Sequence, residues 1–563
     1  FPTRRSSDLT SENTLSIRAG GSQAGNAAFS TAVEVDGVRL GNNAGFGAMA
    51  GVDTRNVSVD NIDRVEVISG VPSAEYGDLG SGLVKVHTRT GRTPLNVIFS
   101  VNPRTWQTSV AKGVGLEKGG VLNVSGEWTR ATRKLISPYE SYTRRGLTLK
   151  YSDTFAGVLR FEAGLTGNLG GMNSEDDPDA FTGEFQQVRD NVLRANTSLD
   201  WLVSKPGVTS LKWEASVNYN DNRSLYHQYH SYASNQPAVH AEEEGYFLAM
   251  RLPKTWFSDQ VTDSRELDLA SALKYDWNHR WDDFKSHLKA GIQWKANGNA
   301  GRGEYYEDPA LAANGYRPRP YSDYPFLHNV SLYAEEDFTF PFHLRLTAGL
   351  RLENVYVKGS EYKDVHSLSP RFNAQWKPFR RLTLRGGAGV SEKLPSFYIL
   401  YPKPEYRDIL TFGLSHGENA SYVYHTSPYS IVFNPDLRWQ RSRNAELGLD
   451  VDAGGFKLSL VGFRNLTEFP YKFTSLYAPF SYEISRIPSG FQVSDEPVIA
   501  VDPKTGSVTV DGTAMEMLVS DRTFVRTVMQ DNGAPVERLG AELTVDFPEI
   551  RPLRTQFRLD GSY

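Results

Sequence analysis

No cysteine occurs among the 563 residues, which excludes a disulfide framework, a thiolate metal site and a cysteine nucleophile. No run of about 18 apolar residues occurs either, so the sequence offers no membrane-spanning helix. Basic charge is not in excess. Lys and Arg number 61 against 66 Asp and Glu, a net charge of −5, which argues against a nucleic-acid binder with a basic face. The first residue is not Met, and Phe1-Pro-Thr-Arg-Arg-Ser-Ser-Asp-Leu9 has neither the apolar centre nor the small-residue cleavage site of a secretory signal. Residues 1–9 resemble a translated adapter and are set aside as a non-native scar.

What is present is alternation. Hydrophobic residues make up 39% and charged residues 23%, and the mean hydropathy of −0.44 has the look of a soluble protein. A transmembrane β-barrel gives the same average, because only every second strand residue must be apolar. Leu211, Trp213, Ala215, Val217 and Tyr219 alternate with Lys212, Glu214, Ser216 and Asn218. Leu344, Leu346, Ala348, Leu350 and Leu352 do so with Arg345, Thr347, Gly349, Arg351 and Glu353. About seventeen such segments run from Pro94 to Tyr563, each near the roughly ten residues that cross a bilayer as a tilted strand.

Their connections are short and long by turns. Gly115–Gly120, Ser152–Ala156, Lys205–Gly207, Pro341, Lys377–Arg380, Ala453–Gly455 and Pro548–Pro552 are short. Met172–Arg189, Asp221–Thr262, Asn297–Phe326, Glu392–Gln440 and Tyr471–Pro535 are long. Short turns at one rim and long loops at the other are the outer-membrane barrel pattern. Aromatics at 12% fit its interface girdles and equally a sugar-binding sandwich. The expectation is a mainly β protein: the C-terminal part of an α+β domain over residues 10–92, too small to be complete, then an antiparallel transmembrane barrel over 93–563. Bacterial barrels close with even strand numbers, so an odd seventeen implies a barrel incomplete at its C-terminus.

Two stretches of the small domain carry a family resemblance. Val33-Glu-Val-Asp-Gly-Val-Arg-Leu40 resembles the strand and turn of TonB-dependent receptor plugs. Asn61-Ile-Asp-Arg-Val-Glu-Val-Ile-Ser-Gly-Val-Pro-Ser-Ala-Glu-Tyr-Gly77 with Gly80-Ser-Gly-Leu-Val-Lys-Val-His-Thr88 resembles the plug signature, to which Asp36, Gly37, Arg64, Glu66, Gly70, Tyr76, Gly77 and Gly82 belong. Ile62, Val65, Val67 and Ile68 would form a buried strand, and the glycines would permit positive φ or close approach. In the barrel region, Ser331–Phe338 with Leu346–Glu353, Ser369-Pro-Arg-Phe372, Asn434-Pro-Asp-Leu437, Asn444–Leu449 and Gly540–Leu543 are similar to the family's strands. Glu392-Lys-Leu-Pro-Ser396, Trp439 and Ser69 depart from its usual Phe-Arg-Ala-Pro-Ser, Lys and Lys/Arg.

The resemblance implies a plug inside a barrel of 22 strands. It implies TonB-driven import of a scarce nutrient (an iron chelate, haem, cobalamin or similar small ligand) across the outer membrane, with no catalysis and no cofactor. Partners would be TonB through an N-terminal segment preceding Thr10, membrane lipid, the nutrient and, in glycan importers, a surface lipoprotein, with no nucleic acid among them. It also implies a latch in which Arg18 of Leu15-Ser-Ile-Arg-Ala-Gly-Gly21 meets Glu446 and Glu542, alternatively ordinary lumen-facing glutamates. The alternatives are a passive porin or adhesin, which needs no plug, and a carbohydrate-binding β-protein.

Other stretches invite chemistry. Tyr226, His227, Tyr229, His230 and Tyr232 form an aromatic loop that could face a ligand, with His227 and His230 as imidazoles for a metal or haem iron. A solvated aromatic loop explains them as well. Ser174–Asp179 offers acidic oxygens without the spacing of a calcium loop. Gly413-Leu-Ser-His-Gly417 satisfies G-x-S-x-G, which works only between a strand and a helix.

Overall fold

A computed structural model describes residues 9–10, 13–18, 26–47, 49–117, 119–135, 139–180, 182–231, 241–250, 255–281, 284–312, 316–359, 362–363, 365–416, 419–429 and 434–563. Residues 31–88 contain a small sheet. Thr31–Val35 pairs parallel with Gly82–Thr88 and antiparallel with Val38–Arg39, and Ile62–Ile68 closes the other side. The Asp36-Gly37 turn has φ of 51° and 81°, the left-handed pair of a two-residue hairpin. Val33, Val35, Leu40, Val52, Val57, Val84 and Val86 form the core. The strand Ile62–Ile68 is not buried as expected, and Val67 is 57% exposed. It lies at the sheet edge, where one flank has no neighbouring strand to cover it.

From Thr93 the chain is a meander. Thr93–Asn102, Thr105–Gly115, Val121–Thr132, Glu140–Phe155, Leu159–Glu175, Phe185–Lys205, Val208–His230, Trp256–Arg280, Lys285–Asn299, Leu327–Thr339, Leu344–Val357, His366–Phe379, Leu382–Lys393, Gln440–Ala453, Phe456–Glu468, Val536–Asp546 and Arg558–Ser562 pair antiparallel, each with the next. The sheet also takes in the short strand Gly303–Tyr306 beside Trp256–Arg280, so among the described residues it has eighteen strands and closes on itself, one more than alternation suggested and not the odd, incomplete set that count implied.

Its two faces are the reverse of a soluble sandwich. Leu332, Leu350, Leu352 and Leu368 are each about half exposed, whereas Ser331, Arg351, Glu353 and Ser369 are buried. Apolar residues therefore face out and polar residues face in, which requires an apolar solvent outside.

Several strands overrun the expected boundaries. Asp221–His230 and Trp256–Thr262, expected within one long loop, continue the ladder of strands 23 and 25 residues long. Beyond the hydrocarbon both faces are wet, so alternation fades while backbone pairing persists. The other long connections are also built. Glu405–His416, Asn419–Tyr429 and Gly245–Met250 form a sheet, and Tyr471–Arg486 pairs with Glu516–Asn532. Tyr246, Phe412, Val423, Val508 and Val510 give three of these loops one shared core. The G-x-S-x-G stretch falls in the first of these sheets, its Ser415 on the strand Glu405–His416, so it lacks the strand-to-helix elbow.

Leu350→Arg, in the middle of the outward belt, is expected to destabilise the barrel by roughly 2–4 kcal/mol in vesicle-based denaturant titrations. No change on this substitution would mean that the face does not meet lipid.

Candidate functional site at the plug–barrel interface

The small domain sits against the inner wall, and most of its polar contacts go to lumen-facing side chains. Arg18 lies at its edge with φ of 49°. Its guanidinium makes a two-pronged contact with Glu542 at 2.9 and 2.8 Å and bonds Glu446 at 3.2 Å. It also donates to the Ser69 carbonyl at 2.9 Å and lies 4.1 Å over the Phe463 ring. The expected trio thus meets. Ser69 takes part through its backbone, so losing the usual Lys or Arg side chain there does not break this contact. Gly70 packs so closely on Glu446 that a Cβ would collide with the carboxylate, which gives this signature glycine its reason.

A second contact region was not anticipated. The plug turn Pro72–Glu75 is gripped by side chains from four barrel strands. Glu335 accepts from the Ala74 N–H at 2.7 Å and the Ser73 hydroxyl at 2.9 Å. Arg351, fully buried and paired with Glu353 at 3.1 Å, donates to the Glu75 carbonyl at 2.9 Å. Arg371 donates to the Pro72 and Ser73 carbonyls, and Lys274 pairs with Glu75 at 2.5 Å. A Cβ at Gly77 would strike Arg351 and Glu353.

A third region joins the plug to the long-loop rim. Asp78 accepts from Lys393 Nζ at 2.9 Å, from Asn43 Nδ2 at 2.8 Å and from the Leu394 N–H at 2.9 Å, and Lys393 also reaches Asn43 at 2.5 Å. All three side chains are buried. Burial alone would push the Asp78 carboxyl up. The Lys393 ammonium, backed by Arg39 and Lys295, outweighs it and holds Asp78 below its ordinary value. Directly above, the Phe397 N–H donates to the Asn43 carbonyl at 2.6 Å and the Tyr398 N–H to Gly45 at 3.2 Å. The plug apex residue Phe46 stacks on Tyr321 at 4.2 Å, with Arg319 4.7 Å over its ring.

The remaining signature residues divide. Asp36 pairs with Lys150 of the wall at 2.9 Å and accepts from the Thr88 N–H at 2.9 Å. Tyr76 accepts from Lys85 at 2.8 Å within the plug. Gly82 has φ of 154°. Arg64 and Glu66 are exposed on the edge strand beside His87.

The aromatic stretch differs from its expected form. Tyr226, His227, Tyr229 and His230 end the strand Val208–His230 instead of lying in a loop, and Tyr232 lies outside the described residues. Residues three apart on a strand face opposite ways. His230 bonds Ser258 at 2.8 Å and stacks on Trp256, whereas His227 bonds Asp259 at 2.6 Å on the other face. They do not converge on one metal, and no metal-binding cluster of His, Cys, Asp or Glu occurs among the described residues. The acidic stretch ends in a turn where Asp177 bonds the Asp179 N–H at 3.1 Å.

A family model described as the TonB-dependent receptor-like β-barrel matches residues 123–468, and one described as the TonB-dependent receptor plug domain matches residues 4–84. The chain belongs to the TonB-dependent receptors. That makes it an outer-membrane barrel in a family of receptors and transporters. The plug match begins inside the stretch 1–9 set aside as a scar. The chain is 30% identical over 135 residues to the ferric enterobactin receptor of Pseudomonas aeruginosa, a stretch covering 24% of this chain and 16% of that receptor. Among solved structures, a variant of the ferric enterobactin receptor PfeA from P. aeruginosa matches with a TM-score of 0.61 at 17% identity, over 97% of this chain and 73% of that one. The siderophore receptor PirA from Acinetobacter baumannii matches with 0.60 at 14% identity, over 93% and 71%. At these identities the structures report the fold alone.

Neutralising Arg18 (Arg18→Met) strands two carboxylates, and Glu542→Gln removes one of them. A double-mutant cycle read by hydrogen exchange of residues 62–70 is expected to give a coupling of about 1–3 kcal/mol; additive effects would mean the pair is not coupled. For Asp78 the sign follows from its depressed folded-state value. Its stabilisation is present above the ordinary carboxylate value of about 3.9 and is lost as pH falls through the depressed one. Protection around residue 78 should hold from pH 7 to 5 and fall only below about pH 4. Loss between pH 7 and 5 would contradict the assignment.

Proposed function

We propose that this receptor performs active import of a scarce nutrient across the outer membrane, with TonB supplying the energy that moves the plug. The observation that carries this reading is the plug held to the lumen wall by breakable polar contacts. A passive porin has no use for such a plug, and a sugar-binding sandwich has no polar lumen to fill.

The contacts divide by role. Arg18 with Glu446 and Glu542 holds the edge of the plug against the wall. Arg351, Arg371 and Glu335 hold the turn at residues 72–75, and Asp78 with Lys393 ties the plug to the outer loops. Charge-assisted contacts of this kind are strong while dry and are released when water enters. Their number makes the resting state tight, and their polarity makes it reversible.

The ligand we assign is a ferric siderophore, because the relatives reported above are named as siderophore and ferric enterobactin receptors. It would enter where the outer loops meet Phe46 at the plug apex. No residue is assigned a catalytic role, and no cofactor is required.

Titration of the purified protein with ferric siderophores, haem and cobalamin tests this. The expected outcome is saturable binding of one ferric chelate class, weakened at least tenfold by Arg319→Ala. Binding of haem or cobalamin in preference to every ferric chelate would overturn the ligand assignment, and steady ion conductance in planar bilayers without TonB would overturn the closed-plug reading.

A further inference from the structure

Two neighbouring wall strands part near the long-loop rim. His366–Phe379 and Leu382–Lys393 pair upward as far as Arg371 with Gly389 and no further. Each strand nevertheless continues. Residues 366–370 stay paired with Leu344–Val357, and residues 390–393 with Gln440–Ala453, so a seam splits the upper sheet and leaves a backbone edge on either side of it.

In an antiparallel strand, alternate residues turn their backbone groups to the same neighbour. Residues 390, 392 and 394 share that alternation, and the groups they present at the seam go to partners other than the facing strand. The Val390 carbonyl, in line with Pro370, which has no N–H to give, accepts from the Arg371 side chain at 3.4 Å. The Glu392 carbonyl accepts from the plug's Leu79 N–H at 3.1 Å. The Leu394 N–H donates to the plug's Asp78 carboxylate at 2.9 Å. The plug thus stands in for a neighbouring strand.

The facing edge is left unsatisfied. Ser367 and Ser369 are buried, and neither hydroxyl has a hydrogen-bond partner among the described residues. Continuing the register of the lower pairs would set Ser369 opposite Ser391 and Ser367 opposite Lys393, a polar match across the two strands.

We propose that the seam is a two-state strand junction for which the plug and residues 366–370 compete. With the plug seated, Asp78 and Leu79 cover the edge, and the adjoining segment is docked on the plug apex through the Phe397 and Tyr398 N–H groups. With the plug displaced, the two strands pair through 369 with 391 and 367 with 393, and the segment Leu394–Leu400 follows its strand to the wall. The rim is then re-formed while the plug is away. The inference rests on the plug being displaceable, as proposed above, and is indifferent to the imported ligand.

The absence of cysteine permits a direct test. Ser369→Cys with Ser391→Cys reports the upper pair, and Asn373→Cys with Gly387→Cys, already in register, is the control. Side chains directly opposite each other on paired strands come within the Cβ separation of a disulfide. Oxidation is followed in the native protein and again at a urea concentration where residues 31–35 and 82–88 have lost amide protection and the barrel strands have not. The upper cross-link is expected to form at least tenfold faster on plug release, with the control unchanged. It is also expected to accelerate without urea in Asp78→Ala, whose folding is verified by heat-modifiable gel migration. A rate that rises in neither condition would overturn the proposal. So would fast cross-linking in Pro370→Ala while the plug amides stay protected, because the proline alone would then hold the seam apart. If no urea concentration separates plug from barrel, plug displacement itself is overturned, and the junction with it.

Discussion

Every part of this molecule answers to one constraint, that charged groups on the inner face of a narrow barrel must be paired. A membrane barrel turns its leucines outward and leaves its polar residues facing a lumen. If that lumen is filled by protein instead of water, each arginine and glutamate on the wall needs a partner. The plug supplies these partners largely from its backbone: Arg351 and Arg371 take plug carbonyls and Glu335 takes a plug N–H, while the plug's Arg18 answers Glu446 and Glu542 with its side chain. The plug turns at residues 69–80 are polar acceptors shaped to the wall as much as they are connections between strands.

That use of the backbone explains why the glycines matter. Gly70 and Gly77 are not in left-handed conformations; they are small because Glu446, Arg351 and Glu353 approach them. It also explains how Ser69 can stand where the family pattern has a cation. A carbonyl accepts the same bond whatever side chain it carries.

Much of this was legible in the sequence. Alternation marked the strands and their inward and outward residues, since period two is all that a lipid-facing wall demands. The Val33–Leu40 and Asn61–Thr88 motifs marked the plug, and motif resemblance alone brought Arg18, Glu446 and Glu542 together. What could not be read depended on pairing across the lumen. Arg351 and Arg371 stood in quoted strand motifs, yet nothing local to those strands shows that a plug turn will reach them. Lys393 was visible only as a departure from the family pattern, and its partners Asp78 and Asn43 lie over three hundred positions away in the chain. The upper strand ends escaped because alternation ceases where water wets both faces. His227 and His230 then read as a loop pair, when strand geometry sends them to opposite sides.

The central claim is that the plug is a separately held body, seated by polar contacts that open without dismantling the barrel. Native-state hydrogen exchange with rising urea, resolved for plug strands and barrel strands, tests it most directly. The account predicts that the amides of residues 31–35 and 82–88 lose protection together, at a urea concentration where the strands Leu327–Thr339 and Leu344–Val357 remain protected. Loss of protection in plug and barrel in one common step would contradict it.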